Sequence, residues 1–203
     1  MLLKVHPENP SQRQILKACE VLRQGGILVY PTDTIYALGC DINHHKAVER
    51  IARLKGIKIS QADFSFIFAD LSQVSDYARM DSNPVFKLMK ASLPGPYTFI
   101  LPARNNIPRI FQSRKNTIGI RIPDNNITLE IIRELGHPIM TTSIHDEDEL
   151  IEYTTDPDLI WENFKDKVDA VIDGGYGNNQ PSTVIDCTGE QPVVLRLGIG
   201  RVD

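Results

Sequence analysis

Gly25-Gly26-Ile27-Leu28-Val29-Tyr30-Pro31-Thr32-Asp33-Thr34-Ile35-Tyr36-Ala37-Leu38-Gly39 is the stretch on which the fold turns. Ile27 to Tyr30 is a short apolar, β-rich run between glycines and a proline, the pattern of a buried strand. It delivers the chain into Pro31-Thr32-Asp33-Thr34, three compact oxygen side chains behind a fixed φ. Two readings of that cluster are open. Thr and Asp often bond nearby backbone and simply cap a turn. A buried strand ending in hydroxyls and a carboxylate also delivers such groups to a cleft.

Outward from this strand the chain alternates strands and helices. Leu2 to Val5 reads as a first strand. Ser11 is a candidate N-cap for a helix with Ile15, Leu16, Cys19 and Leu22 on one stripe, stopped by Gly25-Gly26. Ala47, Val48, Ile51 and Leu54 mark a second helix ending near Lys55-Gly56. Strands are expected at 64–68, 97–101, 117–122, 139–143, 168–173, 184–187 and 193–197. Helices are expected at 71–79, 84–92, 127–135 and 159–164. The 64–68 run lacks polar alternation, which predicts a strand covered on both faces. Gly174 to Pro181 reads as a flexible loop. The alternation predicts an α/β class and one domain over residues 1–203.

The 203 residues, with 41% hydrophobic and 24% charged content, suit a globular protein able to bury a sizeable core. No apolar run reaches the length of a membrane span. Met1 to Pro7 lacks the pattern of a signal peptide, which points to the cytoplasm. Cys19, Cys40 and Cys187 are widely separated and read as buried free thiols, and neither they nor the five histidines show metal-ligand spacing. The formal net charge of -4 argues against a general nucleic-acid binder. Arg50, Arg53, Lys55 and Lys58 nevertheless form a local basic patch, either a solvated helix face or a site for a nucleotide phosphate or RNA. Asp146, Glu147, Asp148, Glu149 and Glu152 form an acidic run. There is no Walker A string and no Gly-x-Gly-x-x-Gly.

Five further segments extend the opening motif. They are Lys55 after a helix, Leu93-Pro94-Gly95-Pro96-Tyr97-Thr98, Thr117-Ile118-Gly119-Ile120-Arg121-Ile122-Pro123, Ser182-Thr183-Val184-Ile185-Asp186, and Arg196-Leu197-Gly198. In this order, over nearly the whole chain, they resemble the YrdC/YciO family, the L-threonylcarbamoyladenylate synthases. The resemblance implies a twisted open mixed sheet flanked by helices, with a basic concave groove. It also implies a reaction. L-threonine, bicarbonate and ATP give threonylcarbamoyl-AMP and pyrophosphate, an intermediate in threonylcarbamoyladenosine modification of tRNA. Mg²⁺ would shield the triphosphate. No carboxylate in the sequence stands out as its ligand.

Arg121 is singled out independently, because an arginine inside an apolar strand needs an anion partner. That partner is either a structural carboxylate or a ligand. By resemblance Arg121 receives the carboxylate of threonine. Thr34, Thr141 and Ser182 take positions around the same substrate. Lys55, Lys58, Thr117, Ser143 and Arg196 take positions near the nucleotide, with Lys55 and Arg121 the candidates to act on the reacting groups.

Two motifs depart from the family pattern. Lys-x-Arg is replaced by Lys55-Gly56-Ile57, and Ser-Ala-Asn by Ser143-Ile144-His145. Together with the Thr32 to Cys40 segment and Gly174-Gly175-Tyr176, these departures make the chain resemble the YciO branch, which implies weak synthesis. The alternatives are hydrolysis or processing of threonylcarbamoyl-AMP or a related acyl-adenylate, with His145 as a candidate base, and RNA binding without catalysis.

Overall fold

Ten strands form one mixed sheet in the computed structural model, which describes residues 1–59, 64–111, 116–144 and 154–202. The elements run β1 (Leu2–Lys4), α1 (Gln12–Arg23), β2 (Leu28–Tyr30), β3 (Ala37–Asp41), α2 (His45–Leu54), β4 (Ser65–Ile67), α3 (Leu71–Tyr77), α4 (Asn83–Ser92), β5 (Tyr97–Pro102), β6 (Thr117–Arg121), α5 (Asn126–Leu135), β7 (Ile139–Ser143), α6 (Pro157–Phe164), β8 (Ala170–Asp173), β9 (Thr183–Asp186) and β10 (Val193–Arg196). The spatial order is β1-β8-β2-β3-β7-β4-β6-β5-β9-β10.

The expected strands and helices are present, with one addition. β3 pairs antiparallel with β2 and β7 and is buried at every position. Its sequence, Ala-Leu-Gly-Cys-Asp, carries little β propensity. What makes it a strand is the sheet around it. A side chain on Gly39 would collide with the ring of Tyr30 and the carbonyl of Met140, so a glycine is needed for this packing.

Strand register sorts residues onto two faces, because side chains alternate. One face carries Val29, Leu38, Cys40, Phe66, Phe99, Leu101, Ile118, Ile120, Met140 and Ile185, all buried in the larger core. The other face is divided. Over β1, β8, β2 and β3 it is closed by α1 and α5, whose Ile15, Cys19, Leu22, Ile127, Ile131 and Ile132 pack on Leu28, Tyr30, Ala170 and Ile172. Over β4, β6, β5 and β9 it carries Ser65, Thr117, Gly119, Ile100, Val184 and Asp186, all only half-buried. β4 is therefore covered on both sides at Phe66 and Ile67 but not at Ser65, where the sequence predicts full cover.

The caps of α1 and α5 are legible locally. Ser11 occupies the N-cap of α1 without a side-chain cap bond, whereas Asn125 accepts from the Thr128 amide at the start of α5. Gly136 ends α5 with φ of 84°, a left-handed conformation that costs glycine little.

Candidate functional site

The β2–β3 turn builds the first wall of the site. The Thr32 hydroxyl bonds the Ile35 carbonyl at 2.8 Å, receives the Thr34 amide at 3.0 Å and lies 3.0 Å from the Thr34 hydroxyl. This is a side-chain-stabilised turn, and it also meets the end of β6. Arg121 Nη2 donates to Asp33 Oδ1 at 2.8 Å and to Thr34 Oγ1 at 3.0 Å. Asp33 Oδ2 accepts from the Asp124 amide at 3.1 Å, which ties the turn to the β6–α5 connection. The Thr128 hydroxyl adds a bond to the Pro31 carbonyl at 2.6 Å.

Arg121 and Asp33 are nearly sealed from solvent, with side chains 10% and 9% exposed. Burial pushes the Asp33 carboxyl above the ordinary carboxylate range, and the Arg121 charge opposes that rise. Arg121 Nε is buried and, among the described residues, has no hydrogen-bond partner. The arginine thus has a structural carboxylate and still carries an unsatisfied donor, an arrangement that favours a further anion.

Thr141 and Ser182 are placed by other buried hydroxyls. Thr141 on β7 meets the Tyr30 hydroxyl at 2.5 Å. Desolvation, the dominant cause, raises the Tyr30 pKa, and the nearby Arg121 charge acts in the opposite direction. Ser182 meets the Thr98 hydroxyl at 2.8 Å, joining the start of β9 to β5. Arg196 Nη2 donates to the Ser182 carbonyl at 3.1 Å. Arg196 loses some of its affinity for a proton, first through burial and then through the charge of Arg121. Two guanidinium groups therefore act on one region that also holds Asp33.

The closing Arg-x-Gly has a mechanical role. A Cβ on Gly198 would run into the Pro181 carbonyl and into the Ser182 main chain at 2.6–2.7 Å. Backbone packs on backbone here, and the Gly198 amide donates to the Thr183 hydroxyl at 2.9 Å.

The remaining sequence-selected residues are spread more widely. Thr117 and Ser143 sit half-buried on the same sheet face as Arg121 and Thr141, by their register with β4 and β3. Lys55 is the half-buried C-cap of α2, and Lys58 is exposed beyond Gly56. Arg50, close to them in the sequence, is held by a carboxylate. It is paired with Asp169 at 2.9 Å, and Asp169 also receives the Ile27 amide at 2.7 Å, before β2 begins. His145 and the acidic run lie outside the described residues.

The loop after β8, read from sequence as flexible, is instead bonded to the turn. The Tyr36 hydroxyl donates to the Gly175 carbonyl at 2.7 Å and receives the Gly174 amide at 3.2 Å. The Asn178 amide reaches the Thr34 carbonyl at 3.2 Å. Sequence reasoning also left Asp33, Thr98, Ser65 and Tyr30 out of the site. For Asp33 a signal existed, since a carboxylate in the motif was available to Arg121, an arginine inside an apolar strand. Thr98 lay within a quoted motif, but nothing local pointed to Ser182.

A protein-family model, Sua5/YciO/YrdC, described as telomere recombination, matches residues 20–198. The chain belongs to the Sua5/YciO/YrdC family. It is 43% identical over 200 residues to the uncharacterized protein YciO of Escherichia coli K12, covering 98% of this chain and 95% of that one. The crystal structure of E. coli YciO superimposes with a TM-score of 0.91, at 40% identity, covering 99% of this chain and 97% of that chain. The threonylcarbamoyl-AMP synthase of Bacillus subtilis is 32% identical over 91% of this chain and 53% of its own length. Pyrococcus abyssi Sua5 complexed with L-threonine matches with a TM-score of 0.87 and 30% identity, over 98% of this chain and 57% of that chain. The chain thus spans just over half the length of these two family members. Among the described residues no helix is long and apolar enough to cross a membrane.

Proposed function

We propose that this protein joins L-threonine, bicarbonate and ATP into threonylcarbamoyl-AMP and pyrophosphate, supplying the activated group for threonylcarbamoyladenosine formation in tRNA. The observation that carries the reading is the Arg121 cluster. A buried guanidinium is oriented by Asp33 and Thr34, keeps an unpartnered Nε among the described residues, and acts electrostatically on Arg196. The family relation to threonylcarbamoyl-AMP synthases, and the L-threonine held by P. abyssi Sua5, support the choice of substrates.

Arg121 would receive the threonine carboxylate, with Thr34, Thr141 and Ser182 around the amino acid. Arg196, Thr117 and Ser143 would face the nucleotide, and Lys55 with Lys58 its phosphates. Carbamate formation needs the amine beside the carbon source, and adenylation needs the carbamate oxygen in line with the α-phosphate. Positioning and charge neutralisation supply most of the catalysis in such steps.

Mg²⁺ fits as part of the substrate. Among the described residues no three His, Cys, Asp or Glu side chains gather into a metal-binding group. Mg²⁺ commonly binds through substrate phosphates with few protein carboxylates, so the ion would arrive on ATP. The missing arginine at position 57 predicts slow synthesis. Titration calorimetry with ATP and Mg²⁺, then with L-threonine, tests the reading. It fails if neither these ligands nor threonylcarbamoyl-AMP binds.

A further inference from the structure

We propose that Asp33 is the group that receives the α-ammonium of the amino-acid substrate and takes up its proton when the carbamate forms. This rests on the reading above, in which Arg121 receives the carboxylate.

An α-amino acid carries opposite charges on groups one carbon apart. The site presents the complementary pair at the same scale, with Arg121 Nη2 and Asp33 Oδ1 2.8 Å apart. The pair is fixed from both sides. Thr34 holds the guanidinium at 3.0 Å, and the Asp124 amide holds the second carboxylate oxygen at 3.1 Å. Neither partner is exhausted. Arg121 Nε remains without a partner among the described residues. Asp33 accepts from Arg121, from the Asp124 amide and from its own amide, and a carboxylate offers about four lone-pair sites, which leaves room for one more donor. A ligand carboxylate bound by Arg121 would bring its own ammonium toward Asp33.

The chemistry requires such an acceptor. Only the unprotonated amine attacks a carbon centre. The ammonium passes one proton to an Asp33 oxygen. The amine nitrogen then bonds to the bicarbonate carbon, the carbon–hydroxyl bond breaks, and that hydroxyl leaves as water with a second proton from nitrogen. Asp33 afterwards releases its proton to solvent. Burial strengthens the hold of this carboxyl on a proton, which suits the role.

The competing role is that of a mere counter-ion to Arg121. Titration calorimetry separates the two, using L-threonine and 2,3-dihydroxybutanoate, which replaces the ammonium by a hydroxyl. The wild type is expected to prefer L-threonine at least tenfold. Asp33→Asn should erase that preference, and Asp33→Glu, which keeps the charge one methylene away, should keep part of it. A folded Asn variant with the preference intact overturns the proposal. If the Asn variant does not fold, an undiminished preference in the Glu variant overturns it equally. Wild type that binds both acids alike refutes the ammonium contact alone. Wild type that binds neither refutes the substrate reading as well.

Discussion

Asp33 and Arg121 lie 88 positions apart and meet at 2.8 Å, through the same Nη2 that reaches Thr34. The β2–β3 turn and the end of β6 are thereby one unit. Removing the cation strands a carboxylate that is almost wholly buried.

Arg121→Ala should therefore destabilise the fold by about 3–5 kcal/mol, the usual cost of breaking a buried pair from one side. If the variant stays folded, L-threonine binding should be lost while ATP binding is nearly unchanged. Urea denaturation followed by calorimetry checks both. An equal loss of ATP affinity would show that Arg121 does not belong to the amino-acid half of the site.

Gly198→Ala tests the backbone contact that seats Ser182 and Arg196. The added methyl meets main-chain atoms that cannot step aside. Overpacking of this kind costs about 1–3 kcal/mol. The expected result is that loss of stability together with weaker nucleotide binding. Unaltered binding would separate this contact from the site.

The buried thiols should lower stability at alkaline pH. Cys19 and Cys187 are pushed from 9.0 up to about 11, and Cys40 to about 12, mainly by desolvation. An acid whose pKa is higher when folded binds more protons in the native state. Its stabilising contribution is full below pH 9.0 and falls as pH rises toward 11. The loss per group is at most about 1.4 kcal/mol per pH unit. Urea midpoints at pH 8 and pH 10.5 should differ accordingly, and Cys19→Ser should reduce the difference. Native protein should also react slowly with thiol reagents at pH 8, because all three thiols are buried.

Ile57→Arg should raise the rate of adenylate synthesis at least tenfold. One preorganised electrostatic contact is typically worth about 2.7–4 kcal/mol of barrier, and Ile57 is 38% exposed, so a longer side chain has room. Pyrophosphate release measures the effect. An unchanged rate would mean that position 57 does not face the reacting phosphates.

The alternation of strands and helices was legible because most elements carry their own apolar period and their own stops, as α5 does between Asn125 and Gly136. β3 was not, since Gly39 and Asp41 are in a strand only through their neighbours on β2 and β7. In the site, the motifs pointed to Arg121, Thr34 and Ser182. The partners that fix them were hidden for a physical reason. Asp33 meets Arg121, and Thr98 meets Ser182, only after distant segments converge. Ser65 was misread because a three-residue strand is too short to show that one of its positions is left half-buried.

The most direct test of the central claim is turnover. Purified protein is incubated with ATP, Mg²⁺, bicarbonate and L-threonine, and threonylcarbamoyl-AMP and pyrophosphate are followed together. The account predicts that both accumulate in equal amounts, slowly, and only when all the substrates are present. No product from the substrates, with consumption of added threonylcarbamoyl-AMP instead, would contradict it and make hydrolysis the reaction of this site.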